Sequence, residues 1–287
     1  MSDSIDWPQR TPLPRRRNSG FLILLFIAAV VILGSRTVLS YWVDLLWFRS
    51  LGYGSVFLRT LTFEWGIFAA FAVATFVILY GTFLLLKRAH RNELPLDHTI
   101  VFAGRDVNLS VKPVLRILGL GVSIVIAAVS GTAMAAQWST LALFWFAPHA
   151  TGNIVDPIFG KPLNFFLFSL PAWDMLAGWL LTLTVVACLF AGMFLLLTGG
   201  SRALGERRIR YVPLSWQGLS IAVALLFLVL ALREYLGRFE QLFEHHTIFD
   251  GINYTDAHVM LTGMLLICAA LVLGAAIAAA NAVRNAS

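Results

Sequence analysis

The 287-residue chain is 59% hydrophobic and 13% charged, with a mean hydropathy of +0.81 and a formal net charge of +6. Soluble domains carry about 25% charged residues, so the composition excludes an ordinary soluble globule and leaves a membrane protein. The basic excess does not point to nucleic acid. Its cations lie in short loops beside apolar runs, where they mark a cytoplasmic face or meet anionic lipid.

Residues 1–18 are polar, hold Pro8, Pro12 and Pro14, and end in Arg15-Arg16-Arg17. This pattern predicts a disordered, basic cytoplasmic tail. Phe21 to Leu39 follows, broken only by Ser35 and Arg36. At about 1.5 Å per residue it gives ~28 Å of helix, enough to cross a bilayer. A secretory signal is the rival reading, but the run outlasts a typical apolar core and no Ala-x-Ala site follows. A retained first span is expected, with Trp42 and Trp47 as an aromatic belt and a short turn at Arg49 to Arg59.

The fold class read from these runs is all-α: a polytopic bundle of six transmembrane helices with aromatic interfacial outer segments. The six spans fall at about 21–39, 61–86, 115–137, 175–197, 214–232 and 259–280. Between the second and third, Thr99 to Phe102 followed by Gly104-Arg105-Asp106 reads as a small cytoplasmic hairpin. In the third span Gly119, Ser123, Ala127, Gly131 and Ala135 recur at every fourth position. Such a stripe lets a neighbouring helix approach closely, because lipid provides no hydrophobic drive for helix association. It would serve a dimer, but packing within the bundle is the expected use. Ala270, Gly274, Ala278 and Ala282 repeat the device in the last span.

Residues 138–173 form the expected outer interfacial segment. Trp138 to Phe146 is aromatic and too short to span. Asp156-Pro157, Phe159-Gly160, Phe165-Phe166, Phe168 and Leu170-Pro171 then make a stretch that three prolines and a glycine interrupt. Each proline removes a backbone donor that hydrocarbon cannot replace, so this stretch is expected to fold on the membrane surface with its rings at headgroup level. A second outer segment, the acidic loop 237–258, precedes the last span. Cys188 and Cys268 each fall inside an apolar run and read as packing residues, not as a disulfide or thiolate site.

Lysines and arginines alternate between the two faces of this map. Fifteen fall on the side of the termini and four on the other, with Arg36 and Arg233 at span ends. The positive-inside rule then places both termini in the cytoplasm and the interrupted aromatic stretch outside.

Three separated stretches carry a likeness to a known family: Tyr41-Trp42-Val43-Asp44-Leu45-Leu46-Trp47-Phe48-Arg49-Ser50-Leu51-Gly52-Tyr53, the Asp156 to Pro171 segment, and Asn253-Tyr254-Thr255-Asp256. The chain resembles the N-terminal membrane region of bacterial uncharacterised protein family 0182. The resemblance implies a multi-pass protein of the bacterial cell membrane without an established biochemical role. It also implies a seventh span and a large extracytoplasmic region, so a truncated or split version is expected here. Lys161 and Asn164 stand where the family usually has an acidic residue and a glycine, which argues against a shared ligand role for that segment.

Candidate chemistry is sparse. Arg36, Asp44, Glu64, Arg233 and Glu234 sit at the expected outer ends of spans. Ionisable groups within spans often mark ion or substrate paths, but near the interface long side chains reach water. Interfacial ion pairs are the expected reading. Glu244, His245, His246, Asp250, Asp256 and His258 would be the residues to offer a zinc ion. Adjacent histidines diverge on a regular element, however, so a solvated loop is expected and no metal or cofactor is assigned. The expected partners are the bilayer, anionic lipid at the basic loops, and an envelope protein or a separately encoded extracytoplasmic part. A structural or scaffolding role follows, with a transporter or channel as the alternative and a membrane-embedded enzyme less favoured. A polar cavity at mid-depth would favour transport.

Overall fold

The computed structural model describes residues 19–89, 98–102, 105–109, 111–147, 155–204, 216–244 and 251–284. The expected basic tail 1–18 and the stretch 205–215 lie outside the described residues. The chain forms two compact units, 1–62 and 63–287.

In the first unit α1 (Ser19–Ser50) is a single helix. It stops at Gly52, whose φ of +81° suits a residue without Cβ. The Gly52 amide donates to the Arg49 carbonyl at 3.0 Å, and the Tyr53 amide to that of Phe48 at 2.9 Å. This pair of bonds satisfies the last carbonyls of the helix. The reversal therefore takes only residues 51–53, shorter than the expected turn from Arg49 to Arg59, and α2 (Gly54–Ala89) begins at once. Phe57 stacks on Phe48 across it, with centroids 5.2 Å apart.

The second unit contains the rest of α2, the strands β1 (His98–Phe102) and β2 (Arg105–Leu109), then α3 (Val111–Ala136), α4 (Trp138–Phe146), α5 (Leu170–Leu204), α6 (Gln217–Glu240) and α7 (Leu261–Arg284). The strands pair antiparallel with His98 opposite Leu109, the hairpin that the sequence predicts. Among the described residues, five helical stretches are long and apolar enough to cross a membrane: Gly54–Arg88, Leu115–Ala136, Phe165–Leu197, Gln217–Phe243 and Asp256–Arg284. The first expected span, 21–39, is helical within α1; apart from Leu24, its side chains up to residue 33 lie outside the described residues. Val77, Leu85, Leu196 and Ile277 point outward from these helices. Soluble proteins rarely expose apolar surface on this scale.

Ring contacts and close approaches fix how the helices run. Phe83 of α2 is fully buried against Phe190 and Phe194 of α5, and Phe71 meets Trp179 at 5.0 Å, so α2 and α5 run the same way. The Trp179 indole N–H donates to the buried Thr75 hydroxyl at 2.9 Å, pinning that pair. α3 runs opposite to α2, with Gly119 facing Phe83 and Gly131 facing Phe68 and Ala72. α6 and α7 are antiparallel, joined by Asn281 to Ser220 at 2.9 Å and by Phe227 over Gly274.

The stripe Gly119, Ser123, Ala127, Gly131, Ala135 lies on the buried face of α3, and its glycines meet α2 inside the bundle. The stripe on α7 serves only in part: Ala282 is buried, Gly274 and Ala278 are half-buried, and Ala270 is exposed.

Three boundaries differ from expectation. The fourth apolar helix starts at Phe165, ten residues before the expected 175, because one turn of π-helix (Phe165–Ser169) runs straight into α5. There the Leu170 amide donates to the Phe165 carbonyl, and Pro171 follows, so its missing N–H falls beside a ladder already shifted by one residue. At its other end α5 stays helical through Thr198-Gly199-Gly200-Ser201, past the expected end of the span. The fifth helix does not end at Leu232. It continues through Arg233 and Glu234 to Glu240 and a 3₁₀ turn, Gln241–Phe243.

Candidate functional site at the acidic end of the bundle

The N-termini of α5 and α7 and the C-termini of α3 and α6 share one end of the second unit. Asp156, Asp174, Glu240, Glu244 and Asp256 collect there. The opposite end carries Lys87, Arg88, Arg116 and Arg284.

The acidic end is built around Phe239 of α6. Asp156 starts a tight turn, its carboxylate accepting the amides of Ile158 at 3.0 Å and Phe159 at 2.6 Å. The Gly160 amide returns to the Asp156 carbonyl at 2.9 Å, and Gly160 takes a φ of +64°. The turn aims Phe159 at Phe239, with centroids 4.9 Å apart. Phe165 meets Phe239 at 5.1 Å and Phe166 at 5.3 Å, and Tyr235 closes the far side at 5.6 Å. Arg238 lays its guanidinium over Tyr235, Phe159 and Phe239 at 5.2–5.9 Å, a favourable use of the ring faces. Pro157 is exposed, and Phe168 is half-buried outside this cluster.

Several of the phenylalanines expected at headgroup level pack against protein. Phe166 is buried, and Phe159 and Phe165 pack on α6. Burial against Phe239 removes apolar surface from water, and the ring edges find partners.

The expected acidic loop is also shorter than 237–258. Besides the extension of α6, the chain is helical again from Tyr254 and makes a π turn, Asp256–Met260, before α7. Asn253 and Asp256 cap each other's amides at 2.7 and 3.2 Å. His258 stacks on Tyr254 and points Nδ1 at the Tyr254 carbonyl, 3.0 Å away. His245, His246 and Asp250 lie outside the described residues. Among the described residues no three His, Cys, Asp or Glu side chains are grouped to hold a metal.

Next to the aromatic cluster a cleft of about 610 Å³ opens between α3, α5 and α6. Asp174, Arg233 and Glu240 line it, with Gln137, Thr140 and Ser130 on the α3 side. Arg233 and Glu240 are seven positions apart, about two helical turns, which puts both on one face of α6. The cleft continues along α5 past Trp179 to Thr182, near the middle of Phe165–Leu197. Both Asp174 and Arg233 act electrostatically on Glu240. None of the three makes a hydrogen bond or an ion pair within 4 Å to another described residue.

The charged residues singled out by sequence differ in their surroundings. Arg36 and Asp44 are exposed on α1, Glu64 is half-buried on α2, and Glu234 is half-buried on α6. Only Arg233 lines the cleft. Asp174 escapes the sequence reading because it falls one residue before the expected fourth span. Glu240 escapes it because the expected fifth span stops short of it. A carboxylate between Trp173 and Met175 is the available signal.

The profile of the family described as "Uncharacterised protein family (UPF0182)" matches residues 21–287. Among curated proteins, a UPF0182 protein of Geobacter sp. (strain M21) is 30% identical over 224 residues, 77% of this chain and 24% of its own length. A UPF0182 protein of Mycobacterium marinum is 32% identical over 278 residues, 92% of this chain and 26% of its own. One of Paenarthrobacter aurescens is 28% identical over 275 residues, with the same two shares. The chain therefore spans about a quarter of the length of these relatives. No solved structure matches.

Proposed function

The chain belongs to the uncharacterised protein family UPF0182, and from that membership we propose that it is a six-span scaffold of the bacterial cell membrane. Both termini face the cytoplasm, and the acidic end faces outward and carries an extracytoplasmic polypeptide. The basic end supports this orientation through the positive-inside rule, and cationic loops there meet anionic lipid. No nucleic acid is involved.

The observation that carries the reading is the aromatic cluster around Phe239. It turns the Asp156–Phe168 stretch from a wet loop into a packed surface. That surface leaves Ile158, Leu163 and Leu167 exposed at the outer end. Exposed apolar groups on a rigid base are suited to a protein partner. The partner is either the remaining part of a longer family protein or a separate envelope protein. A photo-crosslinking amino acid at Leu167, activated in living cells, should give one discrete protein adduct. Adducts with lipid alone would overturn the scaffold.

A second reading, as a transporter or channel subunit, has one observation in its favour: the charged cleft that reaches Thr182 near the middle of an apolar helix.

A further inference from the structure

We propose that the cleft between α3, α5 and α6 binds a zwitterion made of a primary ammonium and a phosphate, presented as the headgroup of phosphatidylethanolamine. The inference goes beyond the scaffold reading and does not depend on it.

Asp174 is half-buried and Arg233 and Glu240 are exposed, so all three charges are accessible where they line the cleft. Asp174, Arg233 and Glu240 form no hydrogen bond or ion pair with one another or with other described residues. They lie close enough to share a field but are left open toward the cavity. At about 610 Å³ the cavity is of ligand size.

The charges select the ligand. A guanidinium presents forked donors that fit a phosphate. A primary ammonium has three donors and no acceptor, which suits two carboxylates. Arg233 and Glu240 stand about 10 Å apart along α6, with Asp174 across from them on α5. Long side chains on that spacing can close on a phosphate and an ammonium joined by two carbons. A choline headgroup would supply the phosphate but no N–H donor for the acids. A glycerol headgroup would leave both carboxylates unpaired beside an added negative charge.

The walls select the lipid over a free solute. Below the charges the cleft runs along Met134, Leu170, Met175 and Trp179 toward Gly178 and Thr182. A Cβ placed on Gly178 would meet nothing within 4 Å, so the floor is open space where an acyl chain can lie.

The test uses the purified full chain, exchanged into equal parts of phosphatidylethanolamine, phosphatidylcholine and phosphatidylglycerol, with retained lipid measured by mass spectrometry. Phosphatidylethanolamine should be enriched at least about tenfold over each of the others, the factor expected from a charge-assisted hydrogen bond. Arg233→Gln and the double variant Asp174→Asn with Glu240→Gln should each abolish the enrichment, while Glu234→Gln, on the same helix but outside the cleft, should keep it. Gly178→Leu fills the open floor without touching the charges. It should lose the lipid yet still bind soluble glycerophosphoethanolamine in a calorimeter. If the soluble headgroup binds wild type as tightly as the lipid does, the zwitterion stands and its source is a free solute. Equal retention of the three lipids, or enrichment that survives both charge variants, overturns the proposal.

Discussion

Phe239→Ala is expected to lower stability by roughly 3–5 kcal/mol, the range for removing a buried phenylalanine. Phe239 is 4% exposed and shares ring contacts with Phe159, Phe165, Phe166 and Tyr235. Its loss leaves a hole into which those rings cannot all collapse, because they are tethered to three segments: the Asp156 turn, the π turn and α6 itself. The damage should be local first. The Asp156 turn is held to α6 largely by Phe159, so protease cleavage near Lys161 should appear in the variant well below its unfolding temperature. Phe243→Ala supplies the contrast. Phe243 is 51% exposed and has one ring contact in the cluster, to Phe166 at 6.3 Å, so its variant should lose far less. Thermal unfolding in detergent, followed by limited proteolysis, reads both effects.

The second large effect lies on α3. A Cβ at Gly131 would approach the Ala72 methyl to 2.9 Å and the Phe68 carbonyl oxygen to 3.0 Å. Backbone oxygen cannot swing away, so α2 and α3 must separate. Gly131→Val should therefore cost about 1–3 kcal/mol or more through overpacking. At Gly121, on the same helix, an added methyl would meet nothing within 4 Å. Gly121→Ala should be neutral or slightly stabilising, since alanine favours helix over glycine by ~1 kcal/mol. Equal losses at the two glycines would refute the claim that the stripe works inside the bundle.

That stripe is legible in the sequence because small residues at every fourth position have few other uses in an apolar helix. Trp138–Phe146 is legible as an aromatic stretch too short to span, but its helical form comes only from the structure. The Asp156–Pro171 stretch misleads for a physical reason. Proline argues against a helix only where its missing donor is needed. Pro162 precedes the first helical turn, and Pro171 follows a π turn that has already displaced the ladder. The cleft is not legible at all. Asp174 and the Arg233/Glu240 pair come from different helices, and only packing of α5 on α6 brings them to one cavity. Periodicity along one helix carries no record of that meeting.

The central claim is that the acidic end of the bundle faces outward and the basic end inward. Single cysteines introduced at Lys161 and at Arg88, in a chain whose Cys188 and Cys268 are replaced by alanine, test it most directly with a membrane-impermeant maleimide on intact cells. Lys161→Cys should label at once, and Arg88→Cys only after the membrane is opened. Labelling of Arg88→Cys in intact cells with Lys161→Cys silent would contradict the orientation, and the proposed outer surface with it.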